Sequence, residues 1–132
     1  DARAYLGMNI PDFPNFFCLY GPNLQPGHGG SFMFIAEMQV RYIMDMLKKM
    51  LTQGLGAVEC RQDVHDVYNE RIDQAHEKMV WTHPGMETYY RNTRGRVVVN
   101  SPYLNTTYFD MTRTADLADF VVEPRHSQPT QT

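Results

Sequence analysis

Residues 31–51 constrain the fold more than any other stretch of this chain. Phe32, Ile35, Ile43, Met46, Leu47 and Met50, with Gln39 and Tyr42 between them, recur at three- and four-residue spacing, the pattern of a helix with one face against a core. Ser31 is a suitable N-cap, because its hydroxyl can accept from a first-turn amide that has no partner within the helix. Gly54 and Gly56 mark the end of the helix. Such a face needs something apolar to lie on. Residues 13–20, which contain Phe16-Phe17-Cys18-Leu19-Tyr20 between Pro11 and Gly21-Pro22, predict a buried strand, with Pro14 placing the strand proper after it.

Along the helix, Glu37, Arg41, Asp45 and Lys49 alternate in sign at four-residue intervals, which predicts a solvated strip in which each pairs with the next. Met33, Met38, Met44, Met46 and Met50 read as adaptable core or subunit packing in preference to a cofactor box. A short strand is expected over 57–61. Asp63 is placed to cap a second helix over 64–80, with Val64, Val67, Tyr68, Ile72, Ala75 and Met79 on its buried stripe. Pro84-Gly85 forces a turn. Residues 96–100 read as a strand, 106–109 as a further strand, and 115–121 as a short closing helix or turn. The Pro-, Gln-, Ser- and Thr-containing tail 123–132 is expected to be mobile. The fold class is therefore α+β, with one long helix after a buried strand, a second helix and short C-terminal strands.

At 132 residues with a net charge of −3, the chain has the size of one domain or a piece of one. Lys and Arg are scattered, so no basic stripe is available for a nucleic-acid backbone. No run of about 18 apolar residues and no secretory pattern is present, and a soluble, cytoplasmic location away from membranes is expected. Cys18 and Cys60 form no disulfide framework; Cys18, among aromatics, is expected to be buried and inert. The chain begins at Asp1 without a helix-start signal, as expected of a segment of something longer.

Five histidines raise the question of a metal. His65 and His76 are eleven residues apart on one helix, about 16 Å at helical rise, too far to share an ion. His28 and His83 lie in separate loops without ligand companions. Glu70, Asp73 and Glu77 read as a solvated acidic strip. No G-x-S-x-G, Walker or complete G-x-G-x-x-G motif is present, so any cofactor site here is half a site. The stretch YGPNLQPGHGGS at 20–31 reads equally as a plain strand-to-helix turn or as a place where backbone amides and a helix N-terminus meet the electron-rich part of a cofactor, with glycines admitting a flat ring.

Residues 5–17 (YLGMNIPDFPNFF), Leu19-Tyr20-Gly21-Pro22-Asn23 and Gly27-His28-Gly29-Gly30-Ser31 together resemble class B flavoprotein monooxygenases. The resemblance is narrowest to the carboxyl-terminal portion of Baeyer-Villiger enzymes of the 4-hydroxyacetophenone monooxygenase type. It continues through residues 37–45, Trp81-Thr82-His83-Pro84-Gly85, Tyr89-Tyr90-Arg91-Asn92, Gly95-Arg96-Val97-Val98 and Asn100-Ser101-Pro102. It implies a parent with two dinucleotide-binding domains for FAD and NADPH, acting on a small-molecule ketone, in which the cofactors carry the chemistry. Residues 1–53 would end the FAD domain, with Gly21, Pro22, Asn23, Gly29, Gly30, Ser31 and Phe32 on the flavin side. Residues 54–122 would form an α+β region whose segment 88–95 resembles a control loop, with Tyr89 and Asn92 toward NADP and Tyr89 in place of the usual tryptophan. The two nucleotide glycine motifs, the family fingerprint and the arginine that such enzymes hold beside the reacting flavin have no match here, so this segment is expected to be inactive alone and prone to self-association. Oxygenation of nitrogen or sulfur, and a noncatalytic module held together through the Met- and aromatic-rich helix, are the alternatives.

Overall fold

The computed structural model describes residues 1–126; of the tail expected to be mobile over 123–132, residues 127–132 lie outside the described residues, while Glu123 and Pro124 are instead paired as strand residues with Ala57 and Leu55. Helix α1 (Phe32–Gln53) forms as its periodicity dictates, and Ser31 caps it by accepting from the Met33 amide at 3.2 Å. Gly54 ends it in the left-handed conformation, φ 65°, with its amide on the Met50 carbonyl. The inner face buries Ile35, Met38, Gln39, Tyr42, Met46 and Met50. Strand β2 (Leu55–Cys60) follows at once and pairs antiparallel with β4 (Phe120–Pro124), Cys60 opposite Phe120 and Leu55 opposite Pro124. Helix α2 (Gln62–His76) and the short α3 (Asn105–Met111) complete the layer around the core. A second, two-residue parallel pairing joins β1 (Gln25–Pro26) to β3 (Asn100–Ser101). One core draws Leu6, Met8 and Leu24 from the amino-terminal part, α1 from the middle, and Ile72, Tyr108 and Phe120 from the remainder.

Several expectations are corrected. Residues 13–20 are not a buried strand but successive turns, with Phe13, Phe16, Leu19 and Tyr20 exposed. Pro11 and Pro14 withhold amide donors, and Asp12, Asn15 and Tyr20 have φ of 70°, 59° and 53°, which no extended strand accommodates. The segment is held from outside instead. Asn15 accepts from the Val58 amide at 3.0 Å and gives its own amide to the Val58 carbonyl at 2.9 Å. Gln39, wholly buried on α1, accepts from the Tyr20 amide at 2.8 Å. Cys18 is half-buried; Cys60 is the buried thiol, and its desolvation pushes it up to about 12.

Residues 106–109, expected as a strand, lie within α3, because the Tyr108 hydroxyl reaches the Leu6 carbonyl at 2.6 Å and Thr112 bonds back to Tyr108. The expected strand 96–100 reduces to a single bridge between Arg91 and Val97 and the pair Asn100–Ser101. Residues 120–124 form β4, so the closing segment ends in a strand. Asp63 sits in the first turn of α2 while Arg61 holds the cap position, and α2 buries His65, Tyr68, Asn69, Ile72 and His76, leaving Val67 exposed. The charged strip on α1 is not a solvated ladder: Arg41 donates to the Phe109 carbonyl at 2.7 Å and stacks on its ring, and Asp45 binds both Lys49 and the Ala115 amide. These contacts hold Asp45 below the usual carboxylate range, and they clasp residues 109–115 to the helix.

Candidate functional site

The glycine loop divides into two environments. Its first half is locked into the chain. Gly21 is half-buried, and a Cβ there would collide with the Gly7 carbonyl. Asn23 is buried, with φ 59°. It donates to the carbonyls of Val97 at 2.8 Å and Asn100 at 3.2 Å, and accepts from Arg96 at 3.3 Å. Pro22 is half-buried between them. Of these three residues, expected on the flavin side, Asn23 ties the loop to residues 96–100, while Gly21 lies against Gly7.

Asn23 belongs to a buried polar knot that the sequence does not announce. His76 closes α2 with its Nε2 3.4 Å from the Asn23 amide, and the Trp81 indole donates to His76 Nδ1 at 2.9 Å. Nδ1 is thus the acceptor, so the neutral ring carries its proton on Nε2. Burial drives the His76 pKa down to about 4. Asp73 is no solvated acid: it pairs with Arg96 at 2.9 Å and Arg3 at 3.2 Å. Arg96 also reaches Asn69 at 3.3 Å and the Ala2 carbonyl at 2.9 Å. A cleft of about 550 Å³ opens beside this cluster, lined among others by Arg3, Asp73, Arg94 and Arg96. Only the single tryptophan five residues after a helix-ending histidine hints at the knot in the sequence; Arg96 and Asp73 carry no such signal.

The second half of the loop is open. Gly29 and Gly30 have φ of 91° and 110°. A Cβ at Gly29 would meet nothing within 4 Å, whereas one at Gly30 would strike the Asn105 amide. Gly29 through Phe34 are all exposed, and Phe32 packs against Tyr20 with ring centroids 5.8 Å apart. Ser31 satisfies Met33 through its hydroxyl, and Phe34 through its carbonyl. Of the first-turn amides, those of Ser31 and Phe32 are left for a ligand among the described residues. Gly27 is explained differently: a Cβ there would lie 2.7 Å from the Trp81 ring.

Tyr89 and Asn92 fall in different roles. Tyr89 is largely exposed, and its hydroxyl accepts from Gln25 of the glycine loop at 3.3 Å. Its ring lies 4.5 Å from that of Tyr90, which in turn edges Trp81 at 6.4 Å, so an aromatic ladder runs from the 88–95 segment to the knot. Asn92 uses its carbonyl oxygen on the Arg94 and Arg96 amides, both at 3.0 Å, and its amide on Asp1 at 2.8 Å. It shapes the turn. His28 is 3.2 Å from the Pro102 carbonyl, and no group of three metal-ligating side chains occurs among the described residues.

No family model matches the chain. It is 47% identical, over 95% of its length, to an uncharacterized monooxygenase of Sinorhizobium fredii. It is 35% identical over 67% of its length to a Baeyer-Villiger monooxygenase of Pseudomonas aeruginosa, and 32% identical over 92% to an FAD-binding monooxygenase of Aspergillus niger. It spans only 19%, 16% and 20% of these relatives. Among solved structures, an oxidized steroid monooxygenase bound to NADP superposes with a TM-score of 0.76 at 22% identity, over 91% of this chain and 23% of that one. A closed cyclohexanone monooxygenase superposes with a TM-score of 0.73 at 22% identity, over 92% and 23%. The fold is therefore that of a segment of the flavoprotein monooxygenases. Within that class, the chain belongs to the Baeyer-Villiger monooxygenases, of which it represents about one fifth.

Proposed function

We infer that this chain is the carboxyl-terminal portion of an FAD- and NADPH-dependent monooxygenase that inserts one oxygen atom from O2 beside a ketone carbonyl, and that it contributes one wall of the flavin site. The open mouth of α1 carries the reading. Gly29 faces empty space, the Ser31 and Phe32 amides have no partner within the first turn, and the exposed Tyr20 and Phe32 rings flank them. These features fit a flat, electron-rich ring: the missing Cβ allows close approach, and the helix N-terminus is favourable to negative charge. When bound, FAD supplies the oxygen chemistry and NADPH the electrons.

The residues of this chain bind and orient. Gly29, Gly30, Ser31 and Phe32 present backbone to the flavin, and the aromatic rings beside them exclude water from it. Gly21, Pro22 and Asn23 act at one remove, fixing the loop that carries the mouth. Tyr89, hydrogen-bonded to Gln25, links the 88–95 segment to that loop and is the residue that would reach toward NADP; Asn92 holds the segment's turn. The ends of the FAD domain and of the following α+β region fall near residues 53 and 122.

The reading is tested on the full-length polypeptide. It should purify yellow, consume NADPH when given a ketone, and yield an ester or lactone carrying one atom of 18O from labelled O2. Sulfoxide or N-oxide formation with no ester would reassign it to heteroatom oxygenation. The 132-residue segment alone should purify without flavin; stoichiometric flavin in it would mean that the pocket is more complete than proposed.

A further inference from the structure

Trp81 stands where three parts of the chain meet. It lies in a single 3-10 turn, Val80–Thr82, just after α2, and is only 7% exposed. Its indole N–H is held by His76, the last residue of α2, at 2.9 Å. Against the far edge of the ring lies Gly27, where a Cβ would come within 2.7 Å of Cη2 and 3.2 Å of Cζ3. Gly27 has no positive φ, so backbone freedom gives no reason for glycine at this position, whereas the ring does. Gly27 belongs to the turn that the Gly29 amide closes on the Pro26 carbonyl at 3.3 Å, and this turn leads directly into the α1 mouth.

The same residue holds the 88–95 segment. Its carbonyl accepts from Nε and Nη2 of Arg91, at 3.2 and 3.0 Å. Its ring edges Tyr90 at 6.4 Å, and Tyr90 lies 4.5 Å from Tyr89. One buried side chain, kept from swinging by its bond to His76, thus seats the glycine turn on one edge and the 88–95 segment on its ring and carbonyl. We propose that Trp81 is a positioning residue that sets the distance between the α1 mouth and Tyr89, and so between the flavin and the nicotinamide nucleotide that they face. This role rests on the function proposed above for what the two loops face. The contacts that carry it run between residues of this chain, so they do not depend on what covers its outer surfaces. Such a shared plate matters because a misplacement of about 1 Å between reacting groups can cost on the order of a hundredfold in rate.

The experiment uses the full-length protein and reads the rate at which saturating NADPH reduces bound flavin without oxygen, expressed per flavin bound. Trp81→Phe withdraws the far edge of the ring from Gly27, and Gly27→Ala drives a Cβ into it. Each should slow reduction by at least about fivefold. Together the smaller ring and the added methyl group refill the contact, so the double variant should return to within about twofold of wild type. The bond to His76 is missing from both proteins that carry Trp81→Phe, so its loss cancels between them. A merely structural role would lower melting temperature and flavin content while the rate per bound flavin stayed at the wild-type value, and that result would overturn the proposal. A double variant slower than either single variant would overturn it too. Gly27 is exposed, so Gly27→Ala decides the matter if Trp81→Phe does not fold: an unchanged rate in that variant alone is enough to reject the role. Each of these results leaves the proposed function standing. A wild-type protein that binds no flavin, or whose flavin NADPH does not reduce, instead overturns that function, and this role with it.

Discussion

Asn23 and Gly29 are six residues apart in one glycine-rich loop, yet they sit in opposite surroundings. Around Asn23 each polar contact is answered within the chain, by Val97, Asn100 and Arg96. Around Gly29 nothing of the chain lies within 4 Å of where a side chain would begin. The difference separates two reasons for special residues in a loop. Gly21 and Gly27 are small because the Gly7 carbonyl and the Trp81 ring stand beside them, whereas internal packing gives no such reason at Gly29. A residue that internal packing explains is weak ground for a ligand contact; one that it leaves unexplained is the better candidate.

The sharpest way to break this contrast is to substitute both halves and compare stability with flavin content in the full-length protein. Gly21→Ala forces a Cβ into backbone and should cost about 3 kcal/mol of stability. Asn23→Ala leaves buried carbonyls and Arg96 short of partners and should cost roughly 2–3 kcal/mol. Both are read as a fall in unfolding free energy by chemical denaturation. If either variant keeps wild-type stability but loses flavin, the first half of the loop touches the cofactor after all.

His76 provides a pH test of the locked half. Its folded pKa of about 4 lies below the ordinary 6.5, so between these values the unfolded state binds the proton and the folded state resists it. Stability from the neutral ring is complete above pH 6.5 and drains away as pH falls toward 4, by up to about 3 kcal/mol. His76→Gln should flatten that part of a stability profile, measured by denaturation at fixed pH steps. Ser31→Ala removes the α1 cap and should cost only about 1 kcal/mol. Gly29→Ala, at φ 91°, should cost a similar 1–2 kcal/mol of strain, but it should lower bound flavin well beyond what that destabilisation explains.

The long helix and both its caps were legible in the sequence, since periodicity, Ser31 and Gly54 are local signals that agree with one another. The resemblance singled out the loop and the 88–95 segment as the places to propose cofactor contacts. Residues 13–20 misled because an aromatic run resembles a strand until the Pro11, Pro14, Asp12 and Asn15 turn chemistry is given its full weight. The Thr-Thr-Tyr-Phe run at 106–109 looks extended by composition, yet Tyr108 and Phe109 are drawn into a helix by Leu6 and Arg41, contacts of long sequence separation that no window reveals. Apart from the Trp81–His76 spacing, the knot was hidden for the same reason: Asn23, Asp73, His76 and Arg96 come from three separate parts of the chain.

Hydrogen exchange of the full-length protein, with FAD removed and then restored, most directly tests the claim that the α1 mouth is a wall of the flavin site. Restoring FAD should slow exchange at the amides of residues 30–32 and leave those of Asn23 and Gln25, already bonded to the Val98 and Val99 carbonyls, nearly unchanged. Unaltered exchange at residues 30–32 on full reconstitution would show that the mouth is turned away from the flavin and would contradict the account.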